Sequence, residues 1–454
     1  MPYSVIDDAP MSRFHWKIAT LSAGGPFLDG WVLTIIGIVL IQAEPALDMT
    51  SFETALTGAG ALAGMLVGGL FGGYLCDRLG RKVTYTVDLV ALIVCSVLSA
   101  FVSAPWQLIV LRVITGIAVG ADYPIAASLL TEFVPRRRRG LLLASLVTAW
   151  FVGACVSYVV GYLLAGLGDN GWRWMLASSA LPALIIVLLR TSIPESPRWL
   201  LSRGRDEQAQ AVLQRVFGPH AHVSDLDEPE AGARISAVLR RSGYVGRISF
   251  VVAFQSAQII PLYAIYTFLP QMLKDLGFTG DGVSYVGGIG SSLITLVGNV
   301  IGMLFMDRWG RRPVLILPFI PMVGSLLLLG LIGEHATAAV ITGFSVYSLF
   351  SGITGLLVWS YPGELFPTGI RSTAIGIITG ATRVGAAVGT FLVPLAISGL
   401  GIHIAMLIGA AVTASGLVVS VICAPETKDR PLSETSAPDG SLPRDQPAPV
   451  TQPS

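Results

Sequence analysis

Gly72 to Lys82 reads GGYLCDRLGRK, and Gly302 to Arg312 reads GMLFMDRWGRR, with Asp77 and Asp307 standing 230 positions apart. Both stretches close a long apolar run with a charged turn, so both read as the end of a membrane helix. The repetition extends outward from this pair. Glu132-Phe-Val-Pro135 with Arg139 matches Glu364-Leu-Phe-Pro367 with Arg371 at an offset of 232, and Pro194-Glu195-Ser196 matches Pro425-Glu426-Thr427 at 231. Three motifs at one offset make the chain a tandem repeat with a period near 231.

What surrounds the motifs is apolar. Of 454 residues 53% are hydrophobic and only 13% charged, and the mean hydropathy is +0.71, which excludes an ordinary soluble protein. Cutting the chain at its charged clusters leaves spans near 18–41, 54–76, 84–103, 107–129, 141–166, 174–193, 248–273, 283–306, 313–332, 337–362, 372–397 and 402–424. Each suits a helix crossing roughly 30 Å of hydrocarbon; a transmembrane β-barrel would alternate apolar and polar residues instead. The expected fold is an all-α membrane protein of twelve transmembrane helices in two pseudo-symmetric six-helix halves. The halves are expected at 1–193 and 248–424, joined by a charged cytoplasmic linker, 194–247, with short helices anchored by Trp199 and Leu200. Residues 425–454 read as a disordered cytoplasmic tail. Parallel repeats of this kind place a substrate site between the halves near the midplane.

Charge placement gives the orientation. With both termini cytoplasmic, 25 of the 29 Lys and Arg residues fall inside, counting Arg190 at the end of span six. A multi-pass protein of the plasma (cell inner) membrane is expected, its first span an uncleaved anchor. Net charge +1 gives no field for nucleic acid. Cys76, Cys95, Cys155 and Cys423 lack CxxC or CxxH spacing, so neither metal nor disulfide framework is implied. No GxxxxGK[ST] loop exists to bind ATP. The reading is of a protein that is not an enzyme and takes no cofactor, working in the bilayer as a monomer on a small molecule and protons.

Taken together, the DRxGRK/R loops, the ExxPxxxR motifs, PESPRWL and PETK resemble the major facilitator superfamily in its sugar-porter-related branch, across nearly the whole chain. That resemblance implies alternating-access transport. Three positions depart from the sugar-porter pattern: Val147 stands where the family has Gln, Phe254-Gln255-Ser256-Ala257-Gln258-Ile259-Ile260 replaces the QQxxGxN stretch, and Gly30-Trp31-Val32 replaces GYD, with the acid one turn earlier at Asp29. The family uses those polar groups to bond sugar hydroxyls. The runs GADYP at 120–124 and DGW at 29–31 look more like bacterial carriers of organic acids and nicotinate. The expected function is therefore proton-coupled symport of a small organic anion (a carboxylate, sugar acid or aromatic acid). A proton-coupled carrier of a neutral sugar or polyol is the alternative, and a non-transporting sensor is the alternative of another class.

Ionisable residues inside spans nominate the site, because each costs about 2.5 kcal/mol or more at mid-bilayer. Asp29 and Asp122 fall at similar depth, and no histidine does, which makes them the expected proton carriers or, alternatively, structural partners of Arg112. Arg383, twelve residues beyond Arg371, reads as a carboxylate-capturing guanidinium or as a salt-bridge partner of those acids. Arg112, Trp31, Trp150, Gln255, Gln258, Tyr263, Tyr266 and Trp359 complete the expected substrate site, each with packing or interhelical bonding as its alternative role. Asp88, six residues past Lys82, is expected among the cytoplasmic charges. Those charges form the expected gate: Asp77, Arg78, Gly80, Arg81, Glu132, Arg139, Glu195, Asp307, Arg308, Gly310, Arg311, Glu364, Arg371 and Glu426, opposite signs at helix ends that meet when the inner mouth shuts.

Overall fold

The computed structural model describes residues 10–225, 244–276, 281–332, 337–366 and 368–428. In chain order its α-helices are α1 (Arg13–Ala46), α2 (Ser51–Leu79), α3 (Arg81–Ser99), α4 (Pro105–Phe133), α5 (Arg136–Ala165), α6 (Gly171–Ser178), α7 (Ala180–Arg190), α8 (Pro197–Ser202), α9 (Asp206–Phe217), α10 (Tyr244–Asp275), α11 (Asp281–Trp309), α12 (Arg311–Ile332), α13 (Thr337–Gly355), α14 (Leu357–Leu365), α15 (Thr368–Leu400) and α16 (Ile402–Cys423). Among the described residues no strand occurs, and twelve segments are long and apolar enough to cross a membrane. The sixth is built of α6 and α7 in succession, the tenth of α13 and α14. Leu70, Phe71 and Leu331 are more than 60% exposed, as lipid-facing side chains are when the solvent is hydrocarbon.

Small residues hold the helices together. Gly64, Gly68 and Gly72 recur every fourth position of α2, on one face, and a Cβ at any of them would strike α4 at Val113, Ile117 or Ala121. Gly116 and Gly120 return the contact against Ala61 and Met65. Without a hydrophobic effect between helices in lipid, such close backbone approach supplies the packing energy. The second repeat does the same: Gly298 and Gly302 of α11 abut Leu349 and Ile353 of α13, and Gly352 abuts Thr295. The pairs Gly68/Gly298, Gly72/Gly302 and Gly120/Gly352 keep the offset of the charged motifs.

Helix ends follow ordinary rules. Thr50 accepts from the Glu53 N–H in a capping box that starts α2, and Pro105 occupies the first turn of α4. Arg173, one of the few cations off the cytoplasmic side of the expected topology, donates to the carbonyls of Ala100 and Val102 beyond the C-terminus of α3, where a cation is favourable. In the linker, Ser196 caps α8, and Trp199 and Leu200 are buried with Ala209 of α9.

Contacts divide the chain into two compact units that differ from the halves read from the repeat. The first takes 1–229, 263–293 and 386–402; the second takes 230–262, 294–385 and 403–454. Within the first unit the Tyr158 hydroxyl donates to the Tyr266 carbonyl at 2.7 Å, and Phe52 meets Phe391 edge to face at 5.6 Å. Gly37 leaves room for the backbone of Thr267. Within the second unit an aromatic core joins Phe250, Phe254, Phe319 and Tyr361. The tail's first residues are structured here: the Tyr361 hydroxyl donates to the Pro425 carbonyl at 2.5 Å. Residues 429–454 lie outside the described residues.

Candidate functional site

The two expected proton carriers meet. Asp29 of α1 and Asp122 of α4, each 97–98% buried, line one water-sized cavity with Gly25, Leu89, Leu92, Ala118, Val119 and Asp88. Asp88 is the unexpected member. It is buried on α3 rather than placed among the cytoplasmic charges, because Thr84, Tyr85, Asp88, Leu89, Leu92, Cys95, Ser96 and Ser99 form the stripe that α3 turns inward. Arg190 is the second surprise. Although it ends α7, it is 7% exposed, its Nε donates to the Leu21 carbonyl at 3.1 Å, and its guanidinium lies on the face of the Tyr85 ring. Gly25 is required where these groups converge, since a Cβ there would collide with both the Asp122 carboxylate and the Tyr85 hydroxyl.

Arg112, 3% exposed, reaches span one but at the backbone: its Nη1 donates to the Val32 carbonyl at 2.8 Å. Trp31 turns to span six, where its Nε1 donates to Ser178 Oγ at 3.3 Å. Trp150 forms an aromatic corner with Tyr263 and Tyr266, ring centroids 6.0 and 5.8 Å away and nearly perpendicular. In the second unit Gln255 donates to the Val358 carbonyl at 2.8 Å, and Gln258 donates to Thr354 Oγ1 at 2.7 Å. Both amides tie α10 to the tenth span, the alternative role the sequence left open. Arg383 is 8% exposed within the same unit. The Trp359 side chain lies outside the described residues.

The cytoplasmic motifs have a precise local geometry. The chain turns from α2 into α3 at Gly80 with φ +101°, and from α11 into α12 at Gly310 with φ +92°, conformations that favour glycine. Beside each lies a carboxylate. Glu195 accepts the N–H of Arg81 at 3.0 Å and of Lys82 at 3.1 Å; Glu426 accepts those of Arg311 at 2.9 Å and Arg312 at 3.1 Å. A Cβ on either glycine would stand 2.6 Å from the carboxylate. Arg311 also forks onto Glu364, with Nη2 2.9 Å from Oε1, and Thr427 donates to the same carboxylate. Lys82 and Arg312 reach the carbonyls of Thr191 and Val421 in matching fashion, 230 positions apart. Arg78 and Arg308 are exposed. Each of these bonds joins groups of one repeat. The side chains of Asp77, Glu132, Arg139, Asp307 and Arg371 lie outside the described residues.

Duplicated six-span repeats, membrane-length helices packed through glycine and charged groups buried in the spans define a secondary transporter of the major facilitator type, not an enzyme. Residues 18–437 match the family model described as Sugar (and other) transporter, and the chain belongs to that family. It is 41% identical over 435 residues to the putative metabolite transport protein YaaU of Escherichia coli (strain K12), covering 96% of this chain and 97% of that one. It is 27% identical over 409 residues to the D-xylose-proton symporter of the same organism, covering 82% and 83%. The fold matches a partially occluded inward-open structure of the E. coli xylose transporter XylE with a TM-score of 0.80 at 22% identity, over 92% of this chain and 100% of that one.

Proposed function

We propose that this multi-pass membrane protein moves a small organic anion across the cell inner membrane together with protons, by alternating access, with both termini cytoplasmic. The observation that carries the proton part is the burial of Asp29 and Asp122 on one cavity. A carboxylate far inside a span is costly, and such groups mark proton relays in transporters. The substrate part rests on Arg383, a permanently charged fork buried in a spanning helix. Gln255 and Gln258 support it from the other side, since their amide donors serve Val358 and Thr354 and are thereby less available to sugar hydroxyls.

Proton-coupled transport of a neutral sugar or polyol is the second reading, favoured by the likeness to a D-xylose-proton symporter. The experiment that separates them is a thermal-shift panel of carboxylates, sugar acids, nicotinate, sugars and polyols on the purified protein, followed by uptake of the stabilising compound into proteoliposomes. Stabilisation by an acid and not by its amide supports the anion; stabilisation by uncharged sugars alone replaces it.

A further inference from the structure

The N-terminal repeat contains more buried charge than the transport reading uses. Four spans contribute: Asp29 from α1, Tyr85 and Asp88 from α3, Asp122 from α4 and Arg190 from α7. Asp88 and Asp122 are 7% and 3% exposed and line the same water-sized cavity. Asp88 Oδ1 takes the Leu89 N–H at 2.6 Å, while its Oδ2 and both oxygens of Asp122 make no well-aligned hydrogen bond, although the Tyr85 hydroxyl lies beside Asp122 and interacts with it. Arg190 acts electrostatically on both carboxylates, but its Nη2 is likewise unmatched and its guanidinium is held by Tyr85 and the Leu21 carbonyl. One guanidinium therefore faces two neighbouring carboxylates in a medium where an uncompensated charge is expensive. Carboxylates that interact strongly titrate as a unit rather than singly.

We infer that Asp88 and Asp122 form a self-contained proton-binding pair inside the N-terminal repeat, with Arg190 as the counter-ion that balances whichever carboxylate is ionised. The ligand is a single proton, bonded to one carboxylate oxygen and bridged to the other, directly or through one water of the size the cavity admits. Asp29 lines the same cavity from α1, but the charges that act on Asp88 are those of Asp122 and Arg190, so Asp29 is not a member of the pair. Arg190 is a positioning residue: it fixes how many protons the pair retains. The inference deepens the proton-coupling reading, yet it concerns the substrate-free protein and stands or falls without transport being measured.

The test is infrared difference spectroscopy of the purified, substrate-free protein in membranes, reading the C=O stretch of protonated carboxylic acids. The wild type is expected to show one such band that shifts on ¹³C-aspartate labelling. Asp88→Asn and Asp122→Asn should each abolish it, because the remaining carboxylate is then balanced by Arg190. Asp29→Asn should leave it, and Arg190→Met should roughly double its intensity, as both acids then carry protons. A label-insensitive wild-type band, a band that survives both Asn variants, or one removed only by Asp29→Asn overturns the assignment. So does a wild-type band that sodium chloride bleaches relative to choline chloride, which would make the ligand a metal cation. The labelling result needs no variant, so a misfolding mutant does not shelter the idea. Gradient-driven uptake fails or succeeds separately.

Discussion

Glu426 caps α12 by accepting the Arg311 N–H at 2.9 Å, and the side chain of the same Arg311 lies 2.9 Å from the carboxylate of Glu364. One residue thus couples the start of the tail to the end of the tenth span. Glu195 reproduces the capping half of this arrangement at Arg81 in the first repeat. A carboxylate at a helix N-terminus satisfies orphan N–H groups and complements the helix dipole. Replacing Glu195 or Glu426 with Ala should therefore cost about 0.5 to 2 kcal/mol of stability, read as a lowered unfolding temperature in detergent. Unchanged temperatures for both variants would show that the caps are incidental.

Gly80 and Gly310 should tolerate substitution less well than those caps. Each combines positive φ with a carboxylate 2.6 Å from where a Cβ would sit. Gly80→Ala is expected to lower both expression of folded protein and unfolding temperature by more than Glu195→Ala does. Fluorescence-detected size-exclusion chromatography checks this, and a Gly80→Ala protein as stable as wild type contradicts the geometry.

The Arg311 to Glu364 fork is half-buried, with side-chain exposures of 16% and 25%, so solvent screens it only in part. A double-mutant cycle with Arg311→Met and Glu364→Gln should return a coupling of about 0.5 to 3 kcal/mol, the range for residues in one charged network. Additive single effects would mean the contact contributes nothing to folding.

Arg383 carries the substrate-charge prediction. Losing one partner of a buried charged hydrogen-bonded pair costs about 2 to 5 kcal/mol, so Arg383→Ala should weaken binding of a carboxylate by at least roughly thirtyfold. The amide of the same compound should bind both proteins alike. Calorimetry on both ligands decides it, and equal losses for acid and amide point to a neutral sugar or polyol.

Much of this was legible in the chain itself. The offset motifs announced the duplication, and the glycines that pack α2 on α4 and α11 on α13 repeat at the same distance. Asp29 and Asp122 stood out as charges in apolar runs. Asp88 and Arg190 did not, because each lies near cytoplasmic charges, and depth along a helix says nothing about which way a side chain turns. A signal did exist for Asp88: Thr84, Asp88, Ser96 and Ser99 share one helical stripe, a polar seam facing other helices rather than lipid. For Gln255 and Gln258, position three apart fixes a shared face but not whether it meets a cavity or the tenth span. Only the packed neighbours show that it meets Val358 and Thr354.

The most direct test of the central claim is uptake into proteoliposomes of the compound that stabilises the protein, driven by an inward proton gradient. The account predicts that wild type accumulates it above the external concentration and that a protonophore collapses the gain. It predicts also that Asp29→Asn and Asp122→Asn lose accumulation while retaining exchange. Wild-type uptake that never exceeds equilibration, or either variant concentrating the compound like wild type, would contradict proton coupling at these carboxylates.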